Sequence, residues 1–344
     1  MAQFIIRRVF QAIPLLILIT IVVFVMLKFA GDPVAATLAN DPRVTAEQRA
    51  LMRESLGLND PIPLQFLTWL IGDTWRMRDL NGDGEPETQG QRLGILRGDL
   101  GESFRHRKPV GEVIAFFLPR TLLLGTTAYI VTVLFGLGIG IFAALRQYSR
   151  ADNIITTISF ITFSMPIFLI ALLSVFIFAV TFKKLGLPYL PVQGMYDVRG
   201  DQSIWDLARH MVLPVFSLAA ISIAGYSRFI RASMLEVINS DYVRTARAKG
   251  LADRRVTYVH ALKNASLPLV TLMGLDIPLI LSGAIVTETV YSWPGMGRLF
   301  WQQSGRGDYP TVMAILLLVA TAVVIFQILT DIVYTLIDPR IRLS

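Results

Sequence analysis

The sequence predicts an all-α integral membrane protein. It has six transmembrane helices, both termini cytoplasmic, a long extracytoplasmic loop after the first helix and a basic cytoplasmic loop between helices 4 and 5. Three observations predict it. Of 344 residues, 53% are hydrophobic and only 17% charged, where a soluble domain carries about 25% charged residues. The apolar residues stand in blocks of roughly 20, the length a helix needs to cross a hydrocarbon core about 30 Å thick. Lysine and arginine fall mainly on one side of those blocks.

The first block covers residues 9–27, after paired Arg7 and Arg8. It is longer than the apolar part of a secretory signal, and the LKFA that follows is no A-x-A cleavage site, so it reads as an uncleaved span. Residues 121–145 and 154–182 carry no charge, 211–227 is shorter, 265–286 is interrupted only by Asp276, and 311–334 carries Asp331 near its end. With the N-terminus inside, the inner segments hold Arg7, Arg8, Arg146, Arg150, eight basic residues between Arg228 and Lys263, then Arg340 and Arg342. The two short outer loops hold Lys183, Lys184, Arg199, Arg209, Arg298 and Arg306. Fourteen against six orients the chain and puts loop 228–264 in the cytoplasm. The net charge of +7 is therefore a matter of topology and does not call for nucleic acid. The chain divides into an N-terminal segment and first span (1–30), an outer loop (31–112) and a five-helix core (113–344).

Composition also excludes chemistry. No cysteine is present, so disulfides, thiol catalysis and cysteine metal sites are out. Three scattered histidines make a poor metal site. The phosphate-binding pattern G-x-x-x-x-G-K-[ST] is missing.

Within the spans, Gly136, Gly138 and Gly140 allow close helix approach, inside this subunit or at a subunit interface. Pro166, Pro214, Pro268 and Pro278 kink or start helices. In the outer loop, Thr45 with Gln48 reads as a capping box opening a short helix with Leu51, Met52 and Leu56 on its apolar face, and Gly57 as its stop. That helix rests on the membrane surface or packs on the outer mouth of the spans. Asp79, Asn81, Asp83 and Gly84 match the first half of a calcium loop, with Glu85 beside them, but position 12 is Gly90 where a bidentate Glu is needed. The alternative is a solvated acidic turn.

Residues 241–263 form a helix–glycine–helix elbow. Asp241 suits an N-cap, Arg247 and Lys249 suit the last turn, Gly250 suits the left-handed stop, and Asp253 caps a second helix. Its basic face either touches anionic lipid, at about 1 kcal/mol per charge, or docks on a cytoplasmic partner. An ionisable group inside a span costs about 2.5–3.5 kcal/mol and is a functional candidate by default. Asp276, near mid-span, either attracts a cationic group in a pathway or bonds a neighbouring span. Glu288 and Asp331, at span ends, suit gating or structural roles. The sequon Asn264-Ala-Ser266 lies on the cytoplasmic side by this topology and reads as chance.

The elbow resembles the cytoplasmic motif of ABC importer permeases, written E-A-A, three residues, Gly and a later Leu-Pro. Here Arg244, Thr245 and Ala246 stand at the first three positions, with Gly250 and Leu267-Pro268 following. The leading Glu is replaced and the Gly-to-Pro distance is long, both as in the dipeptide, oligopeptide and nickel branch. Residues 98–103 (GDLGES), 288–297 (ETVYSWPGMG) and 336–342 (LIDPRIR) resemble the same branch, so the likeness covers nearly the whole chain. The acidic stretch 73–90 looks like an insertion.

The resemblance implies a permease subunit of an ATP-driven importer in a prokaryotic cell membrane. It implies a second permease, two cytoplasmic ATPases that carry the ATP and Mg²⁺, and an extracytoplasmic substrate-binding protein. It implies that Asp241, Arg244, Thr245, Ala246, Arg247, Gly250 and Leu251 couple the ATPases to the spans. Peptides are the expected cargo, with nickel complexes or oligosaccharides as alternatives. A secondary carrier is a further alternative, disfavoured because no internal repeat is evident. An intramembrane enzyme would need paired catalytic groups at one depth, and the spans offer none.

Overall fold

A computed structural model describes residues 2–29, 31, 34, 45–79, 87–198, 200–266, 269, 272–274, 276–277, 280 and 284–337. Contacts divide the chain into two units, Met1–Pro119 with Leu299–Val324, and Arg120–Arg298 with Ile325–Ser344.

In the first unit, α1 (Ala2–Phe29) is the N-terminal apolar helix. Helix α2 (Ala46–Ser55) opens on the expected capping box. Thr45 Oγ1 accepts from the Gln48 amide at 3.2 Å, and Gln48 Oε1 accepts from the Thr45 amide at 3.0 Å. Gly57, with φ +64°, ends it, so its two orphan ends are satisfied by the residues read from sequence. Helix α3 (Ile62–Ile71) begins after Pro61 and packs Phe66 and Trp69 against Phe24 of α1, with ring centroids 5.4 and 6.0 Å away.

The stretch 73–90 holds two short strands stapled by arginines. Strands β1 (Met77–Arg78) and β2 (Thr88–Gln89) pair antiparallel. Arg78 Nε donates to Asp73 at 2.9 Å and one of its Nη atoms to the Glu54 carbonyl at 3.1 Å. Arg76 grips Asp60 bidentately at 2.7 and 3.2 Å, and Arg92 donates to the Ser55 and Leu56 carbonyls at 3.0 and 3.1 Å. Arg78 and Arg92 close C-terminal carbonyls of α2, which the helix itself leaves unpaired. Gly90 is part of the staple. A Cβ there would strike Asp73, so this position packs where a calcium loop needs a ligand. Asn81, Asp83 and Glu85 lie outside the described residues.

Further on, α4 (Val110–Leu145) runs eleven residues before the predicted span. Hydropathy finds the part that suits lipid and misses helical turns with polar residues at the end. Helix α5 (Arg150–Ser164) and α6 (Ile167–Lys184) replace the single span expected over 154–182. Met165 is extended (φ −84°, ψ 135°) because Pro166 disfavours helix at the residue before it, and Pro166 then opens α6. The middle of α6, Val175–Thr181, is wound as a π-helix. Helix α7 (Ile204–Ile238) contains the expected 211–227 run and Pro214, and continues through Arg228 and Arg231.

Helix α8 (Asp241–Ala248) follows after two residues. Its cap is Ser240, one residue earlier than expected, and the Ser240 hydroxyl bonds back to Val237 O at 2.6 Å, closing α7. Asp241 is the first helical residue, where its charge still suits the dipole. Likewise Ala252, not Asp253, precedes α9 (residues 253–265), whose centre Val256–Ala261 is π-wound. The predicted fifth span, 265–286, falls largely outside the described residues, and those described from 269 to 280 are helical. Helices α10 (Ile285–Val290), α11 (Met296–Ser304) and α12 (Tyr309–Ile337) complete the chain. Five described helices are long and apolar enough to cross a membrane.

The glycine row of α4 finds its partner within the second unit. A Cβ at Gly136 would lie 2.7 Å from Tyr226 Cβ, and one at Gly140 2.7 Å from the Ser227 carbonyl, while Gly138 faces open space. Gly136 and Gly140 are therefore where α4 meets α7, which favours packing within the subunit for these two positions.

Candidate functional site

The elbow is two-faced because its sequence is. Val243 and Ala246, three apart on α8, are buried in a core shared with Ile230 and Met234 of α7 and Val256, Ala261 and Ala265 of α9. Asp241, Arg244, Thr245, Arg247 and Lys249 point outward and are exposed. Their ion pairs, Arg244–Asp241 at 3.9 Å and Arg247–Asp253 at 3.8 Å, are exposed and contribute little. The stop is a Schellman motif. Gly250 has φ +75°, its amide reaches Arg247 O at 2.9 Å, and the Leu251 amide reaches Ala246 O at 3.4 Å. Leu251 packs on the same core, the apolar contact this motif favours. Ala246 and Leu251, expected with the coupling set, thus anchor the elbow from below while the charged residues form its free face. Asn264, of the sequon, bonds Tyr242 Oη at 3.1 Å, tying α9 to α8.

The second feature is a cavity of about 290 Å³ in the same unit, walled by α4, α7, the 276–280 segment and the start of α10. Thr121, Tyr129, Thr132 and Ser222 supply hydroxyls, Asp276 and Glu288 supply carboxylates, and the rest is glycine or aliphatic. Tyr226, buried on α7, donates its hydroxyl to Asp276 Oδ2 at 2.6 Å. Tyr129 on α4 donates to the Met273 carbonyl at 3.1 Å. Gly125 lets the 280 position close on α4, since a Cβ there would meet Ile280.

Glu288 is different in kind. It is buried, and its carboxylate accepts from Thr121 Oγ1 and from the Arg298 amide, each at 2.9 Å. Thr121 Oγ1 in turn accepts from the Met296 amide at 2.6 Å. A side chain at Gly295 would strike the carboxylate. Nearby, Tyr291 Oη bonds Ser217 Oγ at 2.8 Å and Trp293 Nε1 donates to Arg120 O at 3.0 Å, both rings fully buried. Glu288 therefore ties Thr121 of α4 to the α10–α11 turn. Asp331 lies in α12, and its side chain is outside the described residues. Asp79 directly follows β1, in the first unit.

Sequence reasoning did not find Tyr226, Tyr129 or Thr121, nor the pair between Asp152 and Arg231. In that pair Arg231 grips the carboxylate at 2.6 and 2.7 Å and joins α5 to α7. The signal was present as isolated polar residues inside apolar runs, but only the three-dimensional neighbours reveal the partners.

A multi-pass helical membrane protein with a polar cavity among its helices and a charged, two-faced elbow is built as a permease subunit. The chain belongs to the binding-protein-dependent transport system inner membrane components. That family's profile matches residues 136–343, and the profile of its N-terminal region matches residues 1–125. The chain is 38% identical over 344 positions to the oligopeptide transport system permease protein AppB of Bacillus subtilis, covering 99% of this chain and 100% of the relative. It is 38% identical over 364 positions to the dipeptide transport system permease protein DppB of Escherichia coli, covering 99% of each. Against the di/tripeptide transport system permease protein DppB of Pseudomonas aeruginosa it is 36% identical over 361 positions, again covering 99% of each.

Proposed function

We propose that this chain is one half of the translocation pathway of an ATP-driven importer of dipeptides and oligopeptides, in a prokaryotic inner membrane. Six spans, with both termini and loop 228–264 in the cytoplasm, pair with a second permease. Two cytoplasmic ATPases, holding ATP and Mg²⁺, bind below, and a substrate-binding protein delivers cargo from outside. The relatives' names favour peptides over nickel complexes or oligosaccharides. Family membership favours an ABC importer over a secondary carrier.

The observation that carries the coupling role is the two-faced α8. Its buried face is continuous with the core of α7 and α9, so a force on its free face reaches the flanking helices without an intervening flexible joint. Tightly packed elements move as units because interiors resist deformation. The free face offers Asp241, Arg244, Thr245 and Arg247 to a groove on the ATPase. ATPase closure shifts α8, α7 moves with it, and the spans change their opening.

Cysteines placed singly at Thr245 and at Val243 test this in the assembled transporter. Thr245→Cys is expected to crosslink to the ATPase subunit and Val243→Cys is not. Reversal of charge at Arg244 and Arg247 together is expected to lower uptake about tenfold, the effect of losing ~1.4 kcal/mol of docking. Absence of any crosslink, with the charge-reversed variant retaining full ATPase binding and uptake, overturns the docking role. Loss of the effect when anionic lipid is removed points instead to a lipid anchor.

A further inference from the structure

We infer that Asp276 is a transit site for a cationic group of the cargo, an ammonium or guanidinium, and that Tyr226 is the residue positioning it. This rests on the peptide-importer reading and deepens it.

Four observations converge. Asp276 borders the cavity, and none of the described residues lining that cavity is basic. Among the described residues, Tyr226 is its hydrogen-bond donor, bound to Oδ2 at 2.6 Å, which leaves Oδ1 available on a half-buried group. Tyr226 is itself fixed, buried in the α7 core with its Cβ against Gly136. The cavity offers further neutral acceptors in Thr132, Ser222 and Tyr129.

The chemistry selects the ligand. A lone carboxylate in partly dehydrated surroundings attracts a cation more strongly than it would in water. A hard divalent ion needs six or more oxygen ligands and several charges, whereas an ammonium has three donors and is matched by one carboxylate and neutral hydroxyls. Conduction needs a site strong enough to admit and weak enough to release, and one charge with neutral helpers is of that kind. Glu288 is consumed by Thr121 and the Arg298 amide and offers no second site.

The geometry also links the site to the elbow. Tyr226 is on α7, which leads into α8, and Asp276 lies beyond α9, so loop 239–266 joins the two partners. A movement of the loop that separates α7 from the 276 segment strains or breaks the Tyr226–Asp276 bond. Affinity for the cation therefore changes with the state of the elbow.

The test is ATP-driven uptake by the intact transporter in vesicles, with the binding protein saturated. The probes are Ala-Lys-Ala, Ala-Ala-Ala and Ala-Glu-Ala. The wild type is expected to prefer the lysine peptide over the glutamate peptide. In Asp276→Asn the ratio is expected to fall about tenfold, equivalent to ~1.4 kcal/mol. Asp276→Glu keeps the charge and is expected to keep the preference, whereas Tyr226→Phe, which removes the bond that orients the carboxylate, is expected to weaken it severalfold. Unchanged selectivity in Asp276→Asn, or equal loss for all three peptides in every variant, overturns the site and leaves a structural tie. Should Asp276→Asn fail to assemble, a wild type with no preference among the peptides, or a Tyr226→Phe variant with the full wild-type preference, overturns it equally. A wild type that takes up none of the three sinks the peptide reading, an outcome distinct from robust uptake with flat selectivity.

Discussion

Gly250 shows how one residue's backbone controls the elbow. It sits at φ +75°, and a Cβ added there would meet nothing within 4 Å. Any defect from substitution is therefore conformational and not a clash. A β-branched residue in the left-handed region costs about 1–2 kcal/mol, and asparagine tolerates it better. Gly250→Val is expected to unwind the end of α8, freeing Leu251 from the core, and to lower peptide uptake per ATP hydrolysed severalfold. Gly250→Asn is expected to remain near normal. Simultaneous measurement of hydrolysis and uptake in vesicles checks this, and equal coupling in the valine variant would count against the elbow as a transmitter. Gly250 was legible because its role is local, a stop after a basic turn. Asp276 was legible as a charge in an apolar run, but its donor was not. Tyr226 is 50 residues away, and no spacing rule connects them.

Whole elements were legible where their ends carry local signals, as with the α2 capping box and the Gly57 stop. They were misjudged where tertiary contacts extend or cut them. Helix α7 outruns its apolar stretch because Arg228 and Arg231 have partners. Arg228 stacks over Phe160 with its guanidinium carbon 4.0 Å from the ring centroid, and Arg231 grips Asp152. The Asp152 carboxylate is held below the usual carboxylate range, first by the hydrogen bonds from Arg231, while burial pushes the other way. The sign follows. A carboxylate depressed in the folded state adds stability above its unfolded value, near 3.9, and that stability is lost as pH falls through the folded value. Thermal denaturation of the purified protein in detergent is expected to show wild-type stability falling as pH drops below about 4. Asp152→Asn is expected to be about 2 kcal/mol less stable at pH 7, with a flatter acid limb. Matching acid limbs in the two proteins would remove Asp152–Arg231 as a clamp between α5 and α7.

At the scale of the whole molecule, membrane class was legible because lipid imposes one solvent on every span, and composition reports it directly. The cavity was not, since it depends on which faces of α4, α7 and the 276–280 segment meet. Sidedness follows from the distribution of positive charge, and the chain offers a clean means of testing it, having no cysteine of its own. Lys249 on the elbow and Leu96 in loop 31–112 are both exposed, so a cysteine at either site is open to reagent without disturbing a core. The proposed topology puts them on opposite sides. In intact cells or right-side-out vesicles, an impermeant maleimide is expected to label Leu96→Cys and spare Lys249→Cys. Permeabilised or inverted membranes are expected to expose Lys249→Cys. The contrast is stark because a sulfonated reagent crosses a bilayer very slowly, for the same reason that charged side chains are rare inside one. Labelling of both positions from the same side would invert the assignment of the elbow. It would also remove the ATPase from the only face where α8 could meet it, so this measurement bears on the coupling proposal as well as on the charge rule.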